Sequence, residues 1–375
     1  MTPTYDEAWF ASRATAGIRA LKAYDPGHDV VAMRARSPWL VELGSNENPY
    51  GPSPHARAAV LDALHLMHRY PDPRGASLKT ALARVHGVEP SRILLGNGSH
   101  ELLMQFAQVF AGQGDDVVLP QYGFAVFALA TRAAGANARV APALADDAAM
   151  PLGHDVDALL AAITPSTRLV YIANPNNPTG TWLDASTLAR FLDAVPSDVI
   201  VVVDEAYAEM ADAPDYASAL SVAHGRGNVI VTRTFSKAYA LAGLRCGYAI
   251  AADGLVAVME RVRESFNVNS VALAACEAAL ADVEHLAWSR SRNSDERAAL
   301  ATALEARGIR ALPSQTNFVL AHLGERTAAV EAALLDRGVV LRPMGGYGLP
   351  AYTRITVGTT EENRRLLQAL DEVLS

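Results

Sequence analysis

Between residues 90 and 251 the chain alternates short apolar runs with helix-length segments, and this alternation limits the possible folds more than any other feature. Strand-length runs fall at 92–95, 116–119, 138–141, 168–172, 199–203, 228–232 and 247–251. Between them, 99–111, 124–134, 155–163 and 184–194 read as helices. Such a pattern predicts an α/β sheet of mostly parallel strands. Several runs are apolar at every position, as strands covered on both faces must be. The expected architecture is therefore a three-layer α/β/α unit. In open sheets of this kind, ligands bind beyond the carboxyl ends of the strands.

After residue 253 the pattern changes. Longer helices are expected at 253–264, 270–281 and 285–307, then strands near 317–321 and 354–357, and a last helix from Thr360. This reads as a smaller α+β unit. With 375 residues, two units are the natural division. We expect an arm over 1–41 that packs on the small unit or on a partner subunit, a large ligand-binding unit over 42–255, and the small unit over 256–375.

Charge excludes some partners. The net charge is −8 with no basic stripe, which argues against nucleic acid and against an anionic membrane surface. No apolar run is long enough to cross a bilayer. The first residues, with Asp6, Glu7 and Trp9, do not read as a secretory signal. Cys246 and Cys276 are too few for a disulfide framework, so a reducing, cytoplasmic setting is expected. His65 and His68 have no matching ligand set, and no metal is expected.

Four motifs follow the strands in order. Leu95-Gly-Asn-Gly-Ser99-His100 leaves a strand through glycines into a helix, whose first N–H groups suit an anion. Ala173-Asn-Pro-Asn-Asn177-Pro-Thr-Gly180 fixes an irregular loop with donor side chains. Asp204 ends an apolar strand and is followed by Tyr207; a carboxylate buried there needs a cation or strong donors. Thr234, Ser236, Lys237 and Arg245 follow the next strand. Burial and a neighbouring cation both lower a lysine's pKa and free its amine to attack a carbonyl. Each motif alone has an ordinary explanation as a turn, a helix cap or a solvated charge. Together they describe a phosphate cup, a nucleophilic lysine, an acid for a ring nitrogen, and donors for a ring oxygen. That is a site for pyridoxal 5′-phosphate.

On these motifs the chain resembles the fold-type-I pyridoxal-phosphate aminotransferases, and within them the histidinol-phosphate aminotransferase family. Further matches are Leu43-Gly-Ser-Asn-Glu-Asn-Pro-Tyr-Gly-Pro-Ser-Pro54, Arg69-Tyr70-Pro-Asp-Pro73 and Thr353-Arg354-Ile-Thr-Val-Gly-Thr359. The resemblance implies transamination between glutamate/2-oxoglutarate and histidinol phosphate/imidazole-acetol phosphate. It implies Lys237 as the Schiff-base lysine and proton shuttle, and Asp204 as partner of the ring nitrogen. Asn177 and Tyr207 would serve the ring oxygen, with Tyr122 stacked on the ring. Arg245, Thr234, Ser236 and the N–H groups of Ser99 and His100 would hold the phosphate. Arg354 would clamp the substrate, helped by Arg342 and Tyr24. Tyr70 would reach the neighbouring subunit's site in a homodimer. His100 replaces the usual acid or amide, and Ala23 a common proline. The segment 342–350 is similar to a secondary branch that accepts aromatic amino acids. Phenylalanine or tyrosine transamination is therefore an alternative, and decarboxylation of a phosphorylated amino acid a more distant one.

Overall fold

The computed structural model describes residues 5–19, 21, 29–37, 39–223 and 225–374. Its centre is a seven-stranded sheet of β2 (Ile93–Gly96), β3 (Asp116–Pro120), β4 (Asn137–Ala141), β5 (Thr167–Ala173), β6 (Ile200–Asp204), β7 (Val229–Thr234) and β8 (Gly247–Ile250). The spatial order is β2-β8-β7-β6-β5-β3-β4. β5, β6 and β7 run parallel in the middle, and every residue of β7 is buried. Only β8 runs against its neighbours. Its direction follows from the connection: residues 235–246 contain one short turn, Ala242–Leu244, and no helix that would carry a parallel crossover.

Two apolar clusters cover the faces of the sheet. One holds Leu103 and Phe106 of helix Ser99–Phe110 with Phe127 and Tyr171; the other holds Phe191 and Leu192 of helix Ala185–Ala194 with Val201, Val203 and Val231. A third lies at the β2–β8 end, where helix Ser270–Ala281 contributes Ala272, Ala275, Cys276 and Ala279 to a core with Leu95 and Tyr248. Small side chains on that helix let helix Pro54–Ala63 pack closely against it. By packing, 270–281 therefore joins the seven-stranded sheet.

The smaller unit is a four-stranded sheet in the order β12-β13-β10-β9, built from β9 (Arg310–Ala311), β10 (Phe318–His322), β12 (Arg342–Pro343) and β13 (Tyr352–Thr356). Beside it, β1 (Val41–Glu42) pairs parallel with β11 (Val339–Val340). Val41 and Leu43 are buried with Leu304, Leu334 and Leu366 from its helices. Of the arm, helix Ala16–Arg19 lies on helix Ala125–Ala133 of the large unit. Gly17 makes that approach possible, since a Cβ there would stand 2.0 Å from the Arg132 carbonyl oxygen. Among the described residues, no helix is long and apolar enough to cross a membrane.

Candidate active site

A cleft of ≈ 320 Å³ opens where β5, β6 and β7 end, between the two sheets. Lys237, three residues past β7, lines it, and its Nζ donates to the Asn46 carbonyl at 3.0 Å. Burial lowers the Lys237 pKa to about 8; Arg354 adds to this, and Arg245 adds less. The sequence expectation had given Arg245 the main charge effect, but a strand from the smaller sheet brings Arg354 in with the larger one.

Asp204 ends β6 directly opposite Thr232 of β7, whose hydroxyl donates to Oδ1 at 2.8 Å. Burial pushes its pKa up to about 6 despite that bond and one from the Ala206 N–H. A carboxylate held this way has strong affinity for a proton or for a protonated nitrogen. Tyr207 is buried edge-on against Phe318, with ring centroids 5.4 Å apart, and its hydroxyl accepts from Asn46 Nδ2 at 2.9 Å. The Tyr207 proton is thereby left to donate elsewhere. Its pKa is pushed up to about 12 by burial, so it stays protonated.

The loop after β5 carries two cis peptide bonds, Asn174–Pro175 and Asn177–Pro178. It presents Asn177, whose Oδ1 accepts from Arg354 Nη1 at 2.6 Å, leaving its amide nitrogen as a donor. Arg354 also donates through Nη2 to the Gly44 carbonyl at 2.9 Å. On the neighbouring strand, Arg342 is its direct cross-strand partner, and both side chains line the cleft.

At the opposite end, helix Ser99–Phe110 begins without a side-chain cap, and Ser99 and His100 line the cleft. Arg245 Nη1 lies 3.5 Å from the Ser236 hydroxyl, which in turn accepts from Thr234 Oγ1 at 3.0 Å. Gly98 has φ +84°, and a Cβ on it would stand 2.7 Å from Arg245 Nη2. Gly247 is as constrained, since its Cβ would meet the Ser99 nitrogen at 2.4 Å. Burial lowers the His100 pKa, and Arg245 lowers it further. Uncapped N–H groups, one guanidinium and two hydroxyls make a built anion cup.

The structure therefore gathers Ser99, His100, Asn177, Asp204, Tyr207, Thr234, Ser236, Lys237, Arg245, Arg342 and Arg354 around one cleft. Two of the expected residues are not among those lining this chain's cleft. Tyr122 does not line the cleft: its hydroxyl accepts from Gln121 Nε2 at 3.1 Å and its ring packs beside Leu312, Leu320 and Met344. Phe124, two residues on, lines the cleft instead. Tyr70 is 82% exposed, stacked on Phe266, and does not line its own chain's cleft. Tyr24 lies outside the described residues. Reading the sequence missed Asn46, Phe124 and Tyr347 as lining residues. Asn46 sat inside a matched motif, which was the available signal.

A family model described as aminotransferase class I and II matches residues 39–370. The chain is 44% identical over 370 residues to histidinol-phosphate aminotransferase 2 of Pseudomonas fluorescens, covering 98% of each chain. It is 45% identical over 363 residues to the Methylococcus capsulatus protein of the same name, covering 96% of this chain and 98% of that one. Among solved structures, the histidinol-phosphate aminotransferase of Sinorhizobium meliloti in complex with pyridoxal-5′-phosphate superposes with a TM-score of 0.87 at 32% identity, covering 97% of this chain and 98% of that one.

Proposed function

The chain belongs to the class I and II aminotransferase family, and from that premise we propose that it transfers the amino group of glutamate to imidazole-acetol phosphate, and in reverse, using pyridoxal 5′-phosphate. One observation carries the substrate assignment. Arg342 and Arg354 are cross-strand partners that both line the cleft and are not part of the anion cup, which suits a second anionic group besides the cofactor's own phosphate. A substrate phosphate and an α-carboxylate can use that pair in turn.

The residues present fit the cofactor. Asp204 supplies a buried anion that needs a cationic partner, and the cup around Ser99, Ser236 and Arg245, kept open to Arg245 and the Ser99 nitrogen by Gly98 and Gly247, suits a phosphate. When bound, the cofactor supplies an electron sink for the charge developing at the substrate's α-carbon. Lys237 Nζ would hold the cofactor and would be the group that moves the substrate's α-proton. With a pKa of about 8, roughly one amine in ten is neutral at pH 7, against one in a few thousand for an ordinary lysine. Asp204 holds the proton on the ring nitrogen. Tyr207 and the Asn177 amide donate to the ring oxygen, and Phe124 offers the ring face an apolar surface.

We extend the proposal to a cytoplasmic homodimer. Leu61, Met67 and Tyr70 are 69%, 72% and 82% exposed within ten residues, an apolar stretch suited to a second copy. In that arrangement Tyr70 serves the phosphate of its neighbour's site. A monomer with full activity, measured by sedimentation during turnover, contradicts this role. For location, two cysteines that are both free and buried suit a reducing compartment.

The test is a set of half-reactions followed by cofactor absorbance. Histidinol phosphate should be converted much faster than phenylalanine or tyrosine. Arg354→Lys, which keeps the charge and loses the fork, should raise KM for both glutamate and histidinol phosphate by roughly 10–100-fold. Faster conversion of the aromatic amino acids would move the function to aromatic transamination, the alternative that Phe124 and Tyr347 in the lining would suit. Release of carbon dioxide without an oxo-acid acceptor would identify a decarboxylase.

A further inference from the structure

Behind Asp204, on the side of β7 away from the cleft, lies a buried charge cluster that none of the chemistry above uses. Arg233 stands between Thr232, which holds Asp204, and Thr234, which lines the cup. By strand alternation its side chain points to the other face. The guanidinium donates to Glu205 Oε2 through Nε at 2.9 Å and Nη2 at 2.6 Å, and to Glu209 Oε1 through Nη1 at 2.8 Å. Glu205 is 0% exposed and also accepts from the Ser218 hydroxyl at 2.7 Å and the Ala219 N–H at 2.6 Å. Among the described residues Glu209 Oε2 has no hydrogen-bond partner. Tyr216, Tyr239, Tyr248 and His86 surround the cluster, and burial holds the His86 pKa down to about 4, so it adds no charge. Two carboxylates and one guanidinium leave a formal charge of −1 directly behind the acid that meets the ring nitrogen.

Stability alone does not account for such a cluster. Replacing a buried ion group by apolar residues is often neutral or stabilising, whereas removing one member is costly. Its place in the chain gives it another use. Glu205 follows Asp204 directly, and its N–H donates to the Thr232 carbonyl at 2.9 Å. Its negative charge also makes Asp204 harder to ionise.

We propose that Arg233 is a positioning residue for Asp204. It offsets the charge of Glu205 and Glu209 and ties the 205–209 turn to β7, so that Asp204 meets the ring nitrogen as an anion in a fixed place. The inference rests on the pyridoxal phosphate reading above. It makes charge balance, and not the number of bonds, the quantity that decides how well the cofactor is held.

Apoenzyme is titrated with pyridoxal phosphate by fluorescence quenching, alongside thermal unfolding, for the wild type, Arg233→Gln, Glu209→Gln and the double variant. Arg233→Gln takes the cluster to −2 and should raise the Kd about tenfold or more. Glu209→Gln keeps an acceptor for Arg233 and should leave the Kd unchanged or lower. In the double variant the charge returns to −1, and most of the lost affinity should return although two partners have been altered. A Kd for the double variant equal to or weaker than that of Arg233→Gln overturns the proposal, as does an unaltered Kd in Arg233→Gln. Should Arg233→Gln show no cooperative unfolding, Glu209→Gln decides: a tenfold loss of affinity at unchanged Tm overturns it. A wild-type protein that binds no pyridoxal phosphate removes the cofactor reading itself, a separate outcome.

Discussion

Asp204→Asn should lower turnover by roughly 10²–10³-fold or more while leaving the apoenzyme at least as stable as the wild type. The two effects have one cause. Asn has the size and shape of Asp and still accepts from the Thr232 hydroxyl through its amide oxygen, so packing is unchanged. It cannot hold a proton on a ring nitrogen, and without that proton the cofactor withdraws electrons poorly. Burial raises the Asp204 pKa to about 6, so its unfolded value lies lower. The sign follows from linkage. A carboxyl whose folded pKa is raised contributes stability below its unfolded pKa and loses it as pH rises through 6. Above pH 6 the ionised form therefore destabilises the apoenzyme, by on the order of 3 kcal/mol, a cost the Asn variant does not carry. The apo variant should show a higher Tm at pH 7 and little difference near pH 4. Thermal unfolding at the two pH values, with steady-state rates, checks both halves. Full activity in the variant would show that the acid only shapes the strand end.

Such opposed effects are expected where a fold carries a costly group for its chemistry. Lys237, with its pKa lowered by burial, belongs to the same class.

Much of this site was legible because its residues follow strands that are themselves legible. β5, β6 and β7 are buried over nearly their whole length and each carries an apolar run of three residues or more, and Asn177, Asp204 and Lys237 lie at or within four residues of their ends. The strands β1, β9, β11 and β12 have two residues each, too few to show a period of two. Arg342 and Arg354 were accordingly found by motif, and their cross-strand pairing was not. Asn46 illustrates a second limit. Its contacts to Lys237 and Tyr207 cross 191 and 161 residues of chain, and nothing local in the 43–54 motif announces them. Tyr122 shows a third. Gln121 to Phe124 form a turn into a helix, and which aromatic of the turn enters the cleft depends on that turn's geometry. The small sheet's apolar side takes Tyr122, leaving Phe124 to the cleft. The end of helix Asp253–Met259, shorter than the expected 253–264, comes before Phe266, whose φ of +61° no periodicity reveals.

Lys237→Ala should abolish turnover, by about 10⁴-fold at least, because one amine both attaches the cofactor and moves the α-proton. Asp204, the anion cup and the arginine pair are intact in that variant, so it should still bind pyridoxal phosphate, without the visible absorbance of a lysine-linked cofactor. Retained transamination would assign the proton transfer to another group. Among the described residues the other lysine, Lys79, does not line the cleft.

The most direct measurement is made on the wild type. The protein loaded with pyridoxal phosphate is reduced with borohydride, digested, and its peptides mapped by mass spectrometry. A stoichiometric phosphopyridoxyl group on Lys237 is the result predicted here. A group on a different lysine, or none at all from a folded and saturated protein, would contradict the central claim.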